Sequence, residues 1–334
     1  MKRRILGLFL VTFLILATFC NTTFAEKATV NAFPNIVHAV GQDDVKNADK
    51  PFSMVWFTDT QYYAESFPEI YDFLGDWFVH EYKKGGFGYV INTGDLVNIA
   101  SNTNQWEVAS RNFKKLDDAN IPYGILAGNH DSIINGIDYS MFSKYFGASR
   151  YKGKPWYGGN MGNNRNHYDL ISFGHYDFII LYLGYGTEAT KETIKWSNQV
   201  LKKYSDRNAI LAMHQYLEGN TTLSKRAQKV FDSIVVKNNN LMMVLCGHYY
   251  GTIRNVKTVT NSDGSNRKVL ELLSDYQKGP NGGDGYLRYL HFNPAIGTLR
   301  VSTYSPYKNK FNFFKDTEDS FTQSIKLKYK SSKY

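Results

Sequence analysis

Tyr123-Gly124-Ile125-Leu126-Ala127-Gly128-Asn129-His130-Asp131 decides how this chain is read. Its first five residues form an apolar run of strand length, and the four that follow turn at once to polar, turn-forming chemistry. The same change recurs on both sides of it. Met54-Val55-Trp56-Phe57 stops at Thr58-Asp59, Tyr89-Val90-Ile91 stops at Gly94-Asp95, Ala209-Ile210-Leu211-Ala212 stops at Met213-His214, and the run 241–245 stops at Cys246-Gly247-His248. In an open α/β sheet the segments beyond the carboxyl ends of the strands converge on one crevice. Asp59, Asp95, Asn129, His214 and His248 are therefore expected to meet there. Each alone has an ordinary use as a turn or helix cap, but that use does not account for five in succession. A set of carboxylate, amide oxygen and imidazole suits Mn, Fe or Zn, and Cys246 is an isolated sulfur.

Between these runs the apolar spacing becomes helical. Ser66-Phe67-Pro68-Glu69 reads as a capping box that opens a helix with Ile70, Leu74, Trp77 and Phe78 on one face. Trp106, Ala109, Phe113 and Leu116 mark a second helix, Ile194, Leu201 and Tyr204 a third, and Leu223, Ala227, Val230, Phe231 and Ile234 a fourth. Three more strand-like runs, around 269–273, 286–292 and 299–304, follow without helices. Strands alternating with helices and then a meander imply an α/β sandwich with a mixed sheet. The Gly- and Asn-rich stretch 157–165 reads as a loop, with Arg165 a candidate phosphate contact. The stretch 278–285 reads equally as a substrate loop or a wide turn, and His167 and His291 read as structural.

The first residues follow another logic. Lys2, Arg3 and Arg4 precede an apolar run, 5–20, and Thr23-Phe24-Ala25 offers a cleavage site, so residues 1–25 are expected to be a signal peptide and 26–50 a leader segment. Phe19 before Cys20 does not fit a lipoprotein signal. Residues 51–334 are then one catalytic domain, expected to be monomeric, with no membrane span after cleavage and a secreted or envelope-associated location. The chain has 39 Lys and Arg against 30 Asp and Glu, and losing three basic residues with the signal leaves about +6. That charge suits a phosphorylated substrate or an anionic envelope polymer. It is spread along the chain without runs, which does not indicate a nucleic-acid partner. After cleavage only Cys246 remains, so no internal disulfide can hold the fold.

In order and placement, Asp59-Thr60-Gln61, Gly94-Asp95, Gly128-Asn129-His130-Asp131, His214 and Gly247-His248-Tyr249-Tyr250 resemble the signature of the calcineurin-like metallophosphoesterases, D-x-H, GD, GNH-D/E, H and GH-x-H. The resemblance implies a four-layer αββα sandwich of two mixed β-sheets flanked by helices, with the last three strands in the second sheet. It implies two metal ions, divalent or mixed-valence, that clamp a phosphoryl group and activate hydroxide for in-line attack on a phosphate mono- or diester. Asp95 would bridge them, Asn129, His214 and His248 would complete one site, and Asp59 would serve the other. His130 would contact the phosphate or protonate the leaving group, and Asp131 would orient His130. Two positions depart from the signature, and both fall on the second metal: Gln61 and Tyr250 stand where the family has histidines. A neutral amide oxygen and a phenol are poor replacements. Three readings follow: weak or absent metal, Tyr250 as phenolate to ferric iron as in purple acid phosphatases of the same superfamily, or a pocket completed by water. The altered site also admits an alternative function, a catalytically weakened binder of phosphorylated envelope polymers.

Overall fold

The apolar runs become strands. In chain order they are β1 (Phe52–Phe57), β2 (Tyr89–Asn92), β3 (Tyr123–Ile125), β4 (Tyr157–Met161), β5 (Asn166–Phe173), β6 (Tyr176–Leu183) and β7 (Asn208–Met213). The second half adds β8 (Leu241–Cys246), β9 (Gly251–Thr260), β10 (Asn266–Asp275), β11 (Leu287–Asn293), β12 (Thr298–Ser305), β13 (Lys310–Phe311) and β14 (Ser320–Ser324). The helices are α1 (Gln61–Glu65), α2 (Pro68–Lys83), α3 (Thr103–Asp118), α4 (Ser140–Phe146), α5 (Lys191–Lys203), α6 (Lys225–Val230) and α7 (Asp316–Asp319). This computed structural model describes residues 49–330 apart from Asn135 and Ser262. The expected signal peptide and all but the last two leader residues lie outside the described residues.

One sheet runs β13-β12-β11-β1-β2-β3, with β14 alongside β12, and the other runs β4-β5-β6-β7-β8-β10-β9. The strands β1, β2 and β3 are parallel to one another, as are β6, β7, β8 and β10. The period of two along each strand sorts side chains into layers. From β1, Met54 and Trp56 join Phe178, Ile180 and Tyr182 of β6 in the core between the sheets, while Val55 and Phe57 join Leu74, Phe78, Phe113 and Leu116 of α2 and α3. On the far side Ile179 and Leu181 pack with Leu201, Val230 and Ile234. Both faces of the central strands are thus buried, which is why they read as unbroken apolar runs. The result is the expected four-layer αββα sandwich of two mixed sheets. Among the described residues no helix is long and apolar enough to cross a membrane.

Three local expectations need correction. Ser66 does not cap α2: its N–H donates to Tyr62 O at the end of α1, and Phe67 takes the cap position before Pro68. The stretch 157–165 is not a free loop, because β4 pairs with β5 across a tight turn. Arg165 in that turn lies 4.5 Å over the Tyr139 ring. The last three strand runs do not share the second sheet: β10 joins β8 and β9 there, while β11 and β12 return beside β1. Strand partners are chosen by long-range packing, which a run of apolar residues does not encode.

Candidate metal centre

Five of the parallel strands are followed within a few residues by a donor. Asp59 follows β1, Asp95 follows β2 and Asn129 follows β3 by a few residues in one sheet, while His214 and His248 follow β7 and β8 in the other. Asp59, Asp95 and His248 all have φ in the left-handed region, at 52°, 53° and 75°. Non-glycine residues hold that conformation at a cost of about 1 kcal/mol or more, and it persists where surrounding bonds over-determine it. Those bonds are present. The Asp59 N–H donates to Gly94 O at 2.9 Å, and the His248 N–H reaches both Asp59 carboxylate oxygens at 3.2 Å.

His214 is the centre of the cluster. Its Nδ1 lies 2.9 Å from the Thr93 carbonyl, which can only accept, so Nδ1 carries a proton and Nε2 faces inward. The Thr93 hydroxyl in turn accepts from Trp56 Nε1 at 3.0 Å, anchoring the arrangement in the core. Around His214 Nε2 stand Asn129 Oδ1 at 2.9 Å, His248 Nδ1 at 3.2 Å and Asp95 Oδ2 at 3.3 Å. Donor atoms of Asp95, His214 and His248 all lie within 4.8 Å of one another.

These are four lone-pair atoms aimed at one point, and they need positive charge between them. Burial opposes a charged imidazole, but the Asp95 and Asp59 carboxylates outweigh it and push His214 up to about 10. Burial also opposes ionisation of Asp95, yet the His214 charge holds it below the usual carboxylate range. His248 is pushed down to about 4 by burial and by His214. A divalent cation is the other species that satisfies an imidazole nitrogen, an amide oxygen and a carboxylate facing one another, and it would replace the His214 proton on binding. The donors therefore fit a metal.

The second half of the cluster is built from oxygen. Asp59 is buried and accepts from Thr58 Oγ1 at 2.6 Å. Burial and the nearby Asp275 charge push its carboxyl well up. Gln61 is buried too, and its Nε2 reaches Asp95 Oδ2 at 3.4 Å and Gln277 Oε1. Tyr250 is 38% exposed, with its ring 5.4 Å from Phe314 and 6.3 Å from Phe313. Burial and the Asp275 charge push its phenol up.

His130 and Asp131 occupy the loop that closes the Asp95 side. The His130 N–H donates to Asp95 Oδ1 at 2.9 Å. Its ring Nδ1 lies 2.8 Å from the Asn98 carbonyl, so Nδ1 is the donor and Nε2 is left to meet a ligand. The expectation that Asp131 orients this ring is corrected here. Asp131 Oδ1 accepts the N–H groups of Leu96 and Val97 at 2.8 and 3.1 Å, and Oδ2 accepts that of Gly128 at 2.7 Å. Buried amides must be satisfied, and Asp131 ties the Asp95 loop to the Asn129 loop instead. Burial and Asp95 push it up to about 7.

Sequence reasoning missed Asp275 and Gln277 at the end of β10, and Arg226. Asp275 obeys the rule that found the others, a donor closing a strand, but its run, 269–273, reads as part of the terminal meander. Arg226 pairs with Glu188 at 2.9 Å and stacks 4.1 Å over Tyr185, whose ring is 6.5 Å from that of His248. No local signal distinguishes that arginine from others on the surface.

A family model described as calcineurin-like phosphoesterase matches residues 52–250. The uncharacterized protein YvnB of Bacillus subtilis (strain 168) is 44% identical over 316 residues. The match takes in 91% of this chain, which spans only 24% of that relative's length. Among solved structures, the purple acid phosphatase PPD1 from yellow lupin (Lupinus luteus) seeds is similar with a TM-score of 0.55 at 13% identity, over 83% of this chain and 54% of that one. That likeness is one of fold.

Proposed function

The chain belongs to the calcineurin-like phosphoesterase family, metal-dependent hydrolases of phosphoric esters, and on that premise we propose that it is an exported phosphomono- or diesterase working at the cluster around His214. The observation that carries this reading is the convergence of Asp95 Oδ2, Asn129 Oδ1 and His248 Nδ1 on His214 Nε2. Asp59, Asp95, Asn129, His214 and His248 would hold Mn, Fe or Zn, with Gln61 as an oxygen donor at the Asp59 side. When bound, such cations supply positive charge to the phosphoryl oxygens and make water a stronger nucleophile.

The chain's own residues do the rest. The Thr93 carbonyl keeps His214 in the tautomer that points Nε2 inward, a role that partners of ligating histidines commonly play. Asp131 holds the loops of Asp95 and Asn129 at fixed separation. His130, with Nδ1–H committed to Asn98 O, offers Nε2 to a phosphoryl oxygen or to the departing oxygen; as imidazolium it would pass its Nε2 proton to the departing oxygen and be left neutral. Export rests on the sequence of residues 1–25, and residues 51–334 are proposed as a single monomeric catalytic domain.

The test is hydrolysis of chromogenic phosphate mono- and diesters with Mn, Fe, Zn or a chelator, beside Asp95→Asn. Metal-dependent turnover that Asp95→Asn abolishes is the expected result. Metal binding without turnover on any ester would overturn the enzyme reading in favour of a binder of phosphorylated polymers.

A further inference from the structure

We infer that the open side of the sandwich, where β9 and β10 face the chain that follows β14, is a binding groove for a single-chain anionic amphiphile such as a long-chain carboxylate. The inference stands apart from the phosphoesterase reading above. It concerns the start of β8, at the opposite end of that strand from the metal centre and roughly 17 Å away along it.

The sequence after β14 alternates strictly, with Ile325, Leu327 and Tyr329 set between Lys326, Lys328 and Lys330. In extended chain a period of two makes a strap with one apolar and one basic face. The strap is fixed along its length. The Ile325 N–H donates to Gly297 O at 2.9 Å, the Lys328 N–H to Asn208 Oδ1 at 2.7 Å and the Lys330 N–H to His175 O at 2.7 Å, so the strap leaves one sheet and is pinned to the other. Ile325 and Leu327 pack against the core between the sheets. Across from them Val256 of β9 pairs with Leu270 of β10, and cross-strand partners point to the same face. Leu270 is buried in that core, yet Val256 remains 37% exposed.

Between the strap and the β9–β10 pair lies a cavity of about 800 Å³ whose apolar lining includes Met242, Val256, Leu270, Ile325 and Leu327. Its size and character are those of a small-molecule site. Arg267, Lys268, Lys326 and Lys328 line it as well, and among the described residues no acidic side chain does. Lys328 Nζ donates to Ser205 O at 2.6 Å and Lys268 Nζ to Thr258 Oγ1 at 2.7 Å, which leaves each ammonium further donors. Four cations without a carboxylate around an apolar cavity complement a molecule with a negative head and a hydrocarbon tail. A bilayer surface is too flat to enter a concave site, and a neutral lipid would leave the positive charge unanswered.

The experiment is titration calorimetry of the purified chain with dodecanoate below its micellar concentration, beside dodecyltrimethylammonium and butyrate. We expect one dodecanoate per chain, with the cation of equal tail about ten-fold weaker or more. Butyrate should not bind measurably, because each buried methylene adds several-fold in affinity. Lys268→Glu combined with Lys326→Glu, both at exposed side chains, should weaken dodecanoate about ten-fold or more and turn the preference toward the cation. Val256→Trp should fill the cavity and abolish dodecanoate binding. Retained binding in a folded Val256→Trp chain overturns the inference. No dodecanoate binding, equal affinity for anion and cation, or unchanged affinity in the charge variant overturns it even if Val256→Trp fails to fold. Binding to phosphatidylglycerol vesicles without one-to-one binding of dodecanoate overturns it in favour of a membrane-docking face.

Discussion

Gly128 lies against Asp95 so closely that a Cβ built on it would overlap Asp95 Oδ1 and stand 2.5 Å from the Asp95 backbone nitrogen. The loop after β3 can therefore approach the loop after β2 only without a side chain. Gly128→Ala must push Asp95 from its place. Mn affinity measured calorimetrically should fall about ten-fold or more while circular dichroism stays that of the native fold. Wild-type affinity in this variant would mean that the position of Asp95 does not govern metal binding.

Asp131 serves three buried backbone N–H groups, so its loss strands donors in both loops. Asp131→Ala should cost roughly 3 kcal/mol in urea unfolding, the price of several unsatisfied donors. His130→Ala should cost well under half of that, because the half-buried ring gives up one bond to Asn98 O. Equal losses in the two variants would contradict this division of labour.

His130 should act on the leaving group through Nε2. His130→Ala is expected to lower kcat about a hundred-fold or more on alkyl phosphates. Nitrophenyl phosphates, whose leaving group needs little protonation, should lose much less. A loss of equal size on both classes would assign His130 to phosphate binding alone.

Arg226 is held by Glu188 and by the face of Tyr185 at the rim of the cluster. A guanidinium so fixed is suited to an anionic ester. Arg226→Ala should raise KM about ten-fold with kcat little changed. Steady-state kinetics with unchanged KM would remove Arg226 from the substrate path.

His167 offers a test by pH away from the metal cluster. Its ring stacks on Tyr182 at 4.3 Å, neither ring nitrogen has a hydrogen-bond partner, and burial pushes it down to about 3. Below about pH 6.5 the unfolded chain takes up a proton that the folded chain refuses, so the stability from a neutral His167 is complete above that pH and is lost as pH falls toward 3. Asp169, 3.9 Å away, acts in the opposite sense: burial raises its carboxyl, so stability falls as pH rises above the ordinary carboxylate range. Replacing His167 with Phe should flatten the acid limb between pH 6.5 and 4 when urea midpoints are compared with wild type. Parallel curves for the two proteins would refute the assignment.

The strand-end donors were legible because each follows its apolar run within a few residues. His214 comes directly after Met213, and Asp95 three positions after the last residue of β2. Asp275 was not legible, because its run, 269–273, reads as part of a terminal meander and local pattern does not show that β10 pairs in parallel with β8. The same strand carries Glu271 in its middle, a buried carboxylate satisfied by Tyr216 at 2.8 Å and Asn255 at 2.6 Å. Only distant partners make that glutamate tolerable in a core strand. The role of Asp131 was misread for a related reason: its adjacency to His130 in sequence says nothing about which amides its oxygens meet.

The sequence by itself determined the buried strands β1, β2, β3, β7 and β8, the longer helices and the donors at those strand ends, because burial and turn chemistry are written in spacings of two to four residues. β4, which reads as a loop, and β5 and β9, which carry no unbroken apolar run, were not legible in it. Only the tertiary structure decided that β11 joins β1 and carries β12 on its other side while β10 joins β8, and that Gln277, bound to Asp275, meets Gln61. Those outcomes depend on contacts between residues from tens to more than two hundred positions apart, such as Leu273 with Cys246 and Gln61 with Gln277, and no local pattern carries the packing energy that selects them.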